Sequence, residues 1–255
     1  FGLLAGAPLS VLTGPAGCGK TALLLHLLDN ADDSYRIAKA DAGLSTDGIL
    51  SWLLQALGEP MPDPAAGPST ALAALHALMI AEYAEGRSTV LLIDEAHHLS
   101  DGDLQALCLL SNINTAQDRL MQIVLSGHPV LRARLIAPAF DDMAQRVGVW
   151  ASVRPLSDTG TADYIADRLM AVEAAADLFD AGAVDLIHRT TGGIPRQINK
   201  LCELSLIFAA AEEGDRIGAE AVQNVLAEGF FLPPSDDAPQ GGAARPARLT
   251  IAAGG

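Results

Sequence analysis

Short apolar runs alternate with longer stretches of helical periodicity over the first 155 residues. The runs at 9–13, 36–41, 89–94, 122–126 and 147–153 predict β-strands. Helical spacing fills about 20–29, 46–57, 69–85, 101–116 and 129–145. Five strands with crossover helices predict an α/β fold, a mostly parallel sheet covered by helices on both faces. The prolines of 58–68 exclude a helix or a central strand there. From about Ser157 the strand signal stops, and helical periodicity occupies 158–172, 180–190, 195–213 and 218–228. The expected organisation is a core at 1–156, a small all-α unit at 157–231 and a linker-like tail at 232–255, where Pro and Gly recur.

Half of the 255 residues are hydrophobic and only 4% are aromatic, so Leu, Ile, Val and Ala must fill the core. The net charge of −15 argues against a surface built to neutralise nucleic-acid phosphates, while leaving room for a small local basic site. No apolar run is long enough to cross a membrane, and none is expected to touch one. Cys18, Cys108 and Cys202 show no paired spacing, which predicts a reducing compartment and neither a disulfide framework nor a zinc site. The opening Phe1-Gly2-Leu3 reads as mid-protein sequence, so the chain is expected to be a piece of a longer one.

The segment Gly14-Pro15-Ala16-Gly17-Cys18-Gly19-Lys20-Thr21 carries the strongest chemistry. It matches the G-x-x-x-x-G-K-[ST] pattern between a predicted strand and a predicted helix. The glycines let backbone amides turn towards phosphate oxygens, and the helix start adds its positive dipole end. Lys20 is expected on the β- and γ-phosphates, and the Thr21 hydroxyl on Mg²⁺. Cys18 occupies a position without a required side chain, where any small residue fits. Loop amides and Lys20 are expected to lower its thiol pKa, so that a reagent reaches it and Mg-ATP protects it.

Val90-Leu91-Leu92-Ile93 describes a strand buried on both faces, and Asp94-Glu95 emerges at its carboxyl end. Asp94 is expected to hold Mg²⁺, and Glu95 to polarise the attacking water. The next-door His97 and His98 invite a metal reading, but adjacent side chains do not share a helix face. Solvated or interface histidines are expected instead. Ser126 ends the run 122–126; placed beside Asp94, its hydroxyl would reach the γ-phosphate or the water. Arg146 precedes the fifth strand, and Arg196 opens a helix after Gly192-Gly193-Ile194-Pro195. An arginine near the γ-phosphate stabilises charge in the transition state, from its own subunit or a neighbour. No Asn/Thr-Lys-x-Asp motif for guanine is present, which favours ATP over GTP.

Together these residues resemble an AAA+ ATPase over about residues 7–230, with Walker A at 14–21, Walker B at 90–95, sensor 1 at Ser126 and sensor 2 at Arg196. A narrower resemblance is to the ExeA-like ATPases of the general secretion pathway. It rests on Asp94-Glu95-Ala96-His97, Val124 to Pro129, Gln145-Arg146-Val147, Tyr164 to Leu169 and Thr191 to Asn199. The resemblance implies a P-loop five-stranded sheet followed by an all-α lid, with ATP and Mg²⁺ as ligands. It also implies a homo-oligomeric ring in which Arg146 reaches a neighbour's nucleotide. The implied setting is cytoplasmic, with inner-membrane attachment through other segments and a protein partner in a bacterial envelope machine for secretion, pili or polysaccharide export. The same ATPase type also serves transposition and replication initiation, so a DNA-acting ATPase is the alternative.

Overall fold

The computed structural model describes residues 7–42, 49–60, 68–112, 120–211 and 216–231. Five strands, β1 (Leu9–Thr13), β2 (Tyr35–Asp41), β3 (Ser88–Asp94), β4 (Met121–Gly127) and β5 (Val147–Ser152), form one sheet in the order β2-β3-β4-β1-β5. Every pairing is parallel. The connecting helices are α1 (Lys20–Asp29), α2 (Ile49–Ala56), α3 (Pro68–Ala84), α4 (Asp101–Leu110), α5 (Val130–Leu135) and α6 (Asp141–Ala144). Four more follow: α7 (Asp158–Met170), α8 (Ala181–Thr191), α9 (Pro195–Ala211) and α10 (Ala219–Ala227).

Packing follows the two-residue period of the strands. On β3, Leu91 and Ile93 join a cluster with Leu53 and Leu54 of α2, Leu75 and Met79 of α3 and Leu104 and Leu107 of α4. The intervening Val90 and Leu92 face the other way, against Leu24 of α1. All four strand residues are fully buried. Each such side chain contributes roughly 1.5–3 kcal/mol of hydrophobic stabilisation. A strand apolar at every position therefore belongs in the sheet interior, with a helical layer on each side.

The chain divides into two compact units, Phe1–Pro155 and Leu156–Gly255. In the second, Ile165 and Leu169 of α7, Ile187 of α8, Ile198 and Leu201 of α9 and Val222 and Val225 of α10 form a separate core. Side chains cap two of its helices, α7 and α8: Ser157 accepts from the Gly160 amide and Asp180 from the Ala183 amide. Among the described residues, no helix is long and apolar enough to cross a membrane.

Three expectations need correction. The single helix expected over 129–145 is broken into α5, a 3-10 turn at Pro138–Phe140 and α6. Pro138 lacks an amide proton and pushes Ala137 into extended backbone at ψ 149°. Pro68 belongs to α3 and not to the preceding loop, since proline is tolerated where the first amides lack helical partners anyway. The helix expected to run to 116 stops at Leu110. The stretches 46–48, 61–67, 113–116 and 212–213 and the tail 232–255 lie outside the described residues.

Candidate functional site

The strand order brings the chemistry-bearing segments together at one edge of the sheet. β4 lies between β1 and β3, pairing Thr13 with Gly127 and Ile93 with Leu125. The loop after β1, the carboxyl end of β3 and the end of β4 therefore converge at the carboxyl ends of parallel strands, where ligands of open α/β sheets bind.

The loop at 14–21 leads directly into α1. Gly19 precedes the helix with φ 94°, a left-handed conformation that favours glycine, and no side chain caps the helix amides. A Cβ placed on Gly19 would meet no atom within 4 Å, so space lies open at the helix start. Lys20 is 5% exposed. Its Nζ donates to the carbonyl oxygens of Gly14 and Pro15 at 3.0 and 3.1 Å. Among the described residues, no carboxylate lies within ion-pair distance of it. A buried ammonium held only by neutral carbonyls, beside uncapped helix amides, suits an anionic ligand such as a polyphosphate.

Thr21 Oγ1 donates to Asp94 Oδ2 at 2.5 Å. Asp94 is 1% exposed, and its Oδ1 accepts from Ser126 Oγ and from the Glu95 amide, both at 2.9 Å. An adjacent hydroxyl and carboxylate form a hard-oxygen donor pair of the kind Mg²⁺ uses. The fully buried Ser126 is thus tied to Asp94.

Glu95 adopts φ 49° and ψ 33°, a left-handed conformation uncommon for a residue with a side chain. Such backbone costs roughly 1–3 kcal/mol and persists where surrounding contacts hold it. Here the 3-10 turn Ala96–His98 follows at once. Arg134 of α5 donates to the carbonyls of His97 and Leu99 at 3.0 Å and to Asp101 Oδ1 at 2.5 Å. The Glu95 side chain is 45% exposed, with Oε2 3.2 Å from His97 Nδ1. Burial, then the neighbouring His98, hold the His97 imidazole below its ordinary pKa. Gly127 permits this arrangement: a Cβ there would lie 3.2 Å from the His97 amide nitrogen and 3.3 Å from Nδ1.

Cys18 is 5% exposed. Burial raises its thiol pKa and outweighs the lowering effect of Lys20. The lowered pKa expected from the sequence is corrected accordingly, and a small residue that fits the loop is what remains.

Arg146 follows α6 with its amide bonded to the Met143 carbonyl, and its buried Nε has no hydrogen-bond partner among the described residues. Arg196 is exposed, the second residue of α9 in the second unit. Sequence reasoning missed Arg134 because its partners are mostly backbone carbonyls, which leave no trace in residue identities.

A parallel sheet with a glycine-rich loop feeding a helix start, followed by a helical bundle, defines the P-loop AAA+ class. Residues 4–135 match the AAA domain family, and the chain belongs to it. It is 33% identical over 218 residues to general secretion pathway protein A of Aeromonas hydrophila, covering 85% of this chain and 40% of that protein. The chain therefore spans about two fifths of that relative's length. Among solved structures it is similar to ORC2 of Aeropyrum pernix, with TM-score 0.67 and 17% identity over 89% of this chain and 64% of that one. Cdc6p of Pyrobaculum aerophilum gives 0.67 and 20%, over 87% and 60%. RuvB of Thermotoga maritima gives 0.54 and 18%, over 86% and 61%. At these identities the structures share the fold.

Proposed function

We propose that this chain binds ATP with Mg²⁺ and hydrolyses it, as the ATPase module of a homo-oligomer that powers a bacterial envelope machine. The observation that carries the reading is the buried Lys20 ammonium, without an anionic partner among the described residues, beside the uncapped start of α1. The amides of 14–21 and Lys20 would grip the phosphates, and Thr21 and Asp94 would hold Mg²⁺. The ion, when bound, neutralises charge on the phosphate oxygens. Glu95 orients the attacking water with its exposed carboxylate, and Ser126 keeps Asp94 in place. Arg196 senses the γ-phosphate, and Arg146 serves a neighbouring subunit. The envelope setting is supported by the likeness to general secretion pathway protein A. A cytoplasmic position, with inner-membrane attachment through other segments, goes with that setting.

Two variants test the chemistry. Lys20→Ala should weaken binding of a fluorescent ATP analogue in equilibrium titration; unchanged affinity and turnover would remove the loop from the site. Glu95→Gln should keep ATP bound but slow turnover by roughly 10²-fold or more. Turnover within about threefold of the parent would discard the role of Glu95. Turnover stimulated by duplex DNA would favour the rival DNA-acting ATPase over the envelope reading.

A further inference from the structure

The turn after β3 sets two histidines, which the proposed ATP chemistry does not use, beside the Glu95 carboxylate, which it does. One ligand atom each from Glu95, His97 and His98 lie within 4.8 Å of one another, and His98 is exposed. The rings of His97 and His98, in the 3-10 turn that follows the left-handed Glu95, lie 4.0 Å apart, tilted by 37°. The Glu95 Oε2 to His97 Nδ1 separation is 3.2 Å. Two ligands at the 2.0–2.1 Å distances of a tetrahedral zinc ion sit about 3.3 Å apart, so this edge already has the required length. His128 adds an imidazole at the rim, its ring centroid 5.9 Å from that of His97.

The hydrogen bonding around Nδ1 points the same way. That nitrogen faces the Glu95 carboxylate at 3.2 Å and the His128 amide at 3.3 Å. One in-plane position cannot both donate to the carboxylate and accept from the amide. A cation shared by Nδ1 and Oε2 satisfies the carboxylate, and the long amide contact is the one given up. Two imidazoles and one carboxylate suit zinc, nickel or copper rather than the hard Mg²⁺.

We propose that Glu95, His97 and His98 bind a divalent transition-metal ion of the zinc class, separate from the Mg²⁺ pair Thr21 and Asp94, and that the ion silences ATP turnover by occupying Glu95. Metal binding stands on the geometry alone, whereas the silencing rests on the proposed role of Glu95. Coordination draws electron density from the carboxylate and fixes its orientation, so it is a weaker base towards water; inhibition follows occupancy and is reversed by a chelator.

The test uses tag-free protein stripped with EDTA and titrated with Co²⁺, with visible absorption as the readout, followed by displacement with Zn²⁺. Wild type should take up one ion per chain, unaffected by millimolar Mg²⁺. His98→Ala and Glu95→Gln should each lose at least about tenfold in affinity. Absence of binding, unchanged affinity in His98→Ala, or an intense thiolate-to-cobalt charge-transfer band placing the ion on cysteine would each overturn the site. In parallel, Mg-ATP turnover of wild type and His98→Ala is measured against buffered Zn²⁺, each normalised to its own metal-free rate. Inhibition should track occupancy and shift to higher Zn²⁺ in His98→Ala. Stoichiometric binding through these residues with full turnover would overturn the silencing and count against Glu95 as the water-orienting group. Failure to bind would leave that role of Glu95 intact.

Discussion

The Thr21 hydroxyl donates to Asp94 Oδ2 at 2.5 Å, joining the start of α1 to the end of β3 across 73 positions of sequence. The other oxygen of the same carboxylate is held by Ser126 and the Glu95 amide. Removing one hydrogen bond to a charged group costs about 1.5–3 kcal/mol. Ser126→Ala should therefore lower turnover by about tenfold or more and raise the Mg²⁺ concentration needed for half-maximal rate. Steady-state assays across a Mg²⁺ series check this; an unchanged Mg²⁺ requirement would leave Ser126 as packing alone.

Arg146 tests assembly. Its buried Nε has no hydrogen-bond partner among the described residues, an arrangement that costs free energy. Arg146→Ala should retain ATP binding and lose roughly 10³-fold in hydrolysis. Mixing it with Glu95→Gln should restore measurable turnover, because an intact Glu95 then faces an intact Arg146 across a subunit boundary. Activity independent of protein concentration, with no rescue on mixing, would indicate a monomeric enzyme.

Cys18 should resist alkylation. Burial raises its pKa, and each unit removes about tenfold of the reactive thiolate at neutral pH. Site-resolved mass spectrometry after iodoacetamide treatment should show it reacting more slowly than a peptide thiol. Cys202, pushed up to about 12 by burial, should be slow as well. Rapid labelling of Cys18 that Mg-ATP blocks would restore the reactive thiol expected from the sequence.

Glu82 predicts an acid-sensitive core. It is 3% exposed on α3, accepts from Arg87 Nε at 2.6 Å and pairs with Arg36 of β2. The Arg87 hydrogen bond is the largest influence holding its carboxyl below the ordinary value. A depressed folded-state pKa contributes stability that is fully present above the unfolded-state value and lost as pH falls through the folded one. Glu82→Gln should lower the thermal midpoint at pH 7 by several degrees, and the gap from wild type should close under acid. A gap that persists below pH 3 would assign the effect to packing.

The fully apolar run 90–93 could take only one place, the sheet interior, so the strand before Asp94 was legible without coordinates. The glycine-rich loop was equally legible, because few sequences turn sharply from strand to helix. Sequence could not show which strands are neighbours, and that order alone brings Ser126 onto Asp94. The kink at Pro138 was hidden because apolar residues on either side continue a helical rhythm through it. The meeting of Glu95, His97 and His98 was hidden for a different reason: it depends on the left-handed backbone at Glu95 and on side-chain rotamers, which residue spacing does not reveal.

Arg134 fastens the segment behind Glu95 by two carbonyls and one carboxylate. A left-handed residue followed by a fastened turn behaves like a sprung latch: it stays cocked only while its far end is pinned. Wear at the pin is felt at the trigger. If Glu95 has the role proposed above, damage on α5 should spare nucleotide binding and slow only turnover, a lesion that binding assays alone would miss.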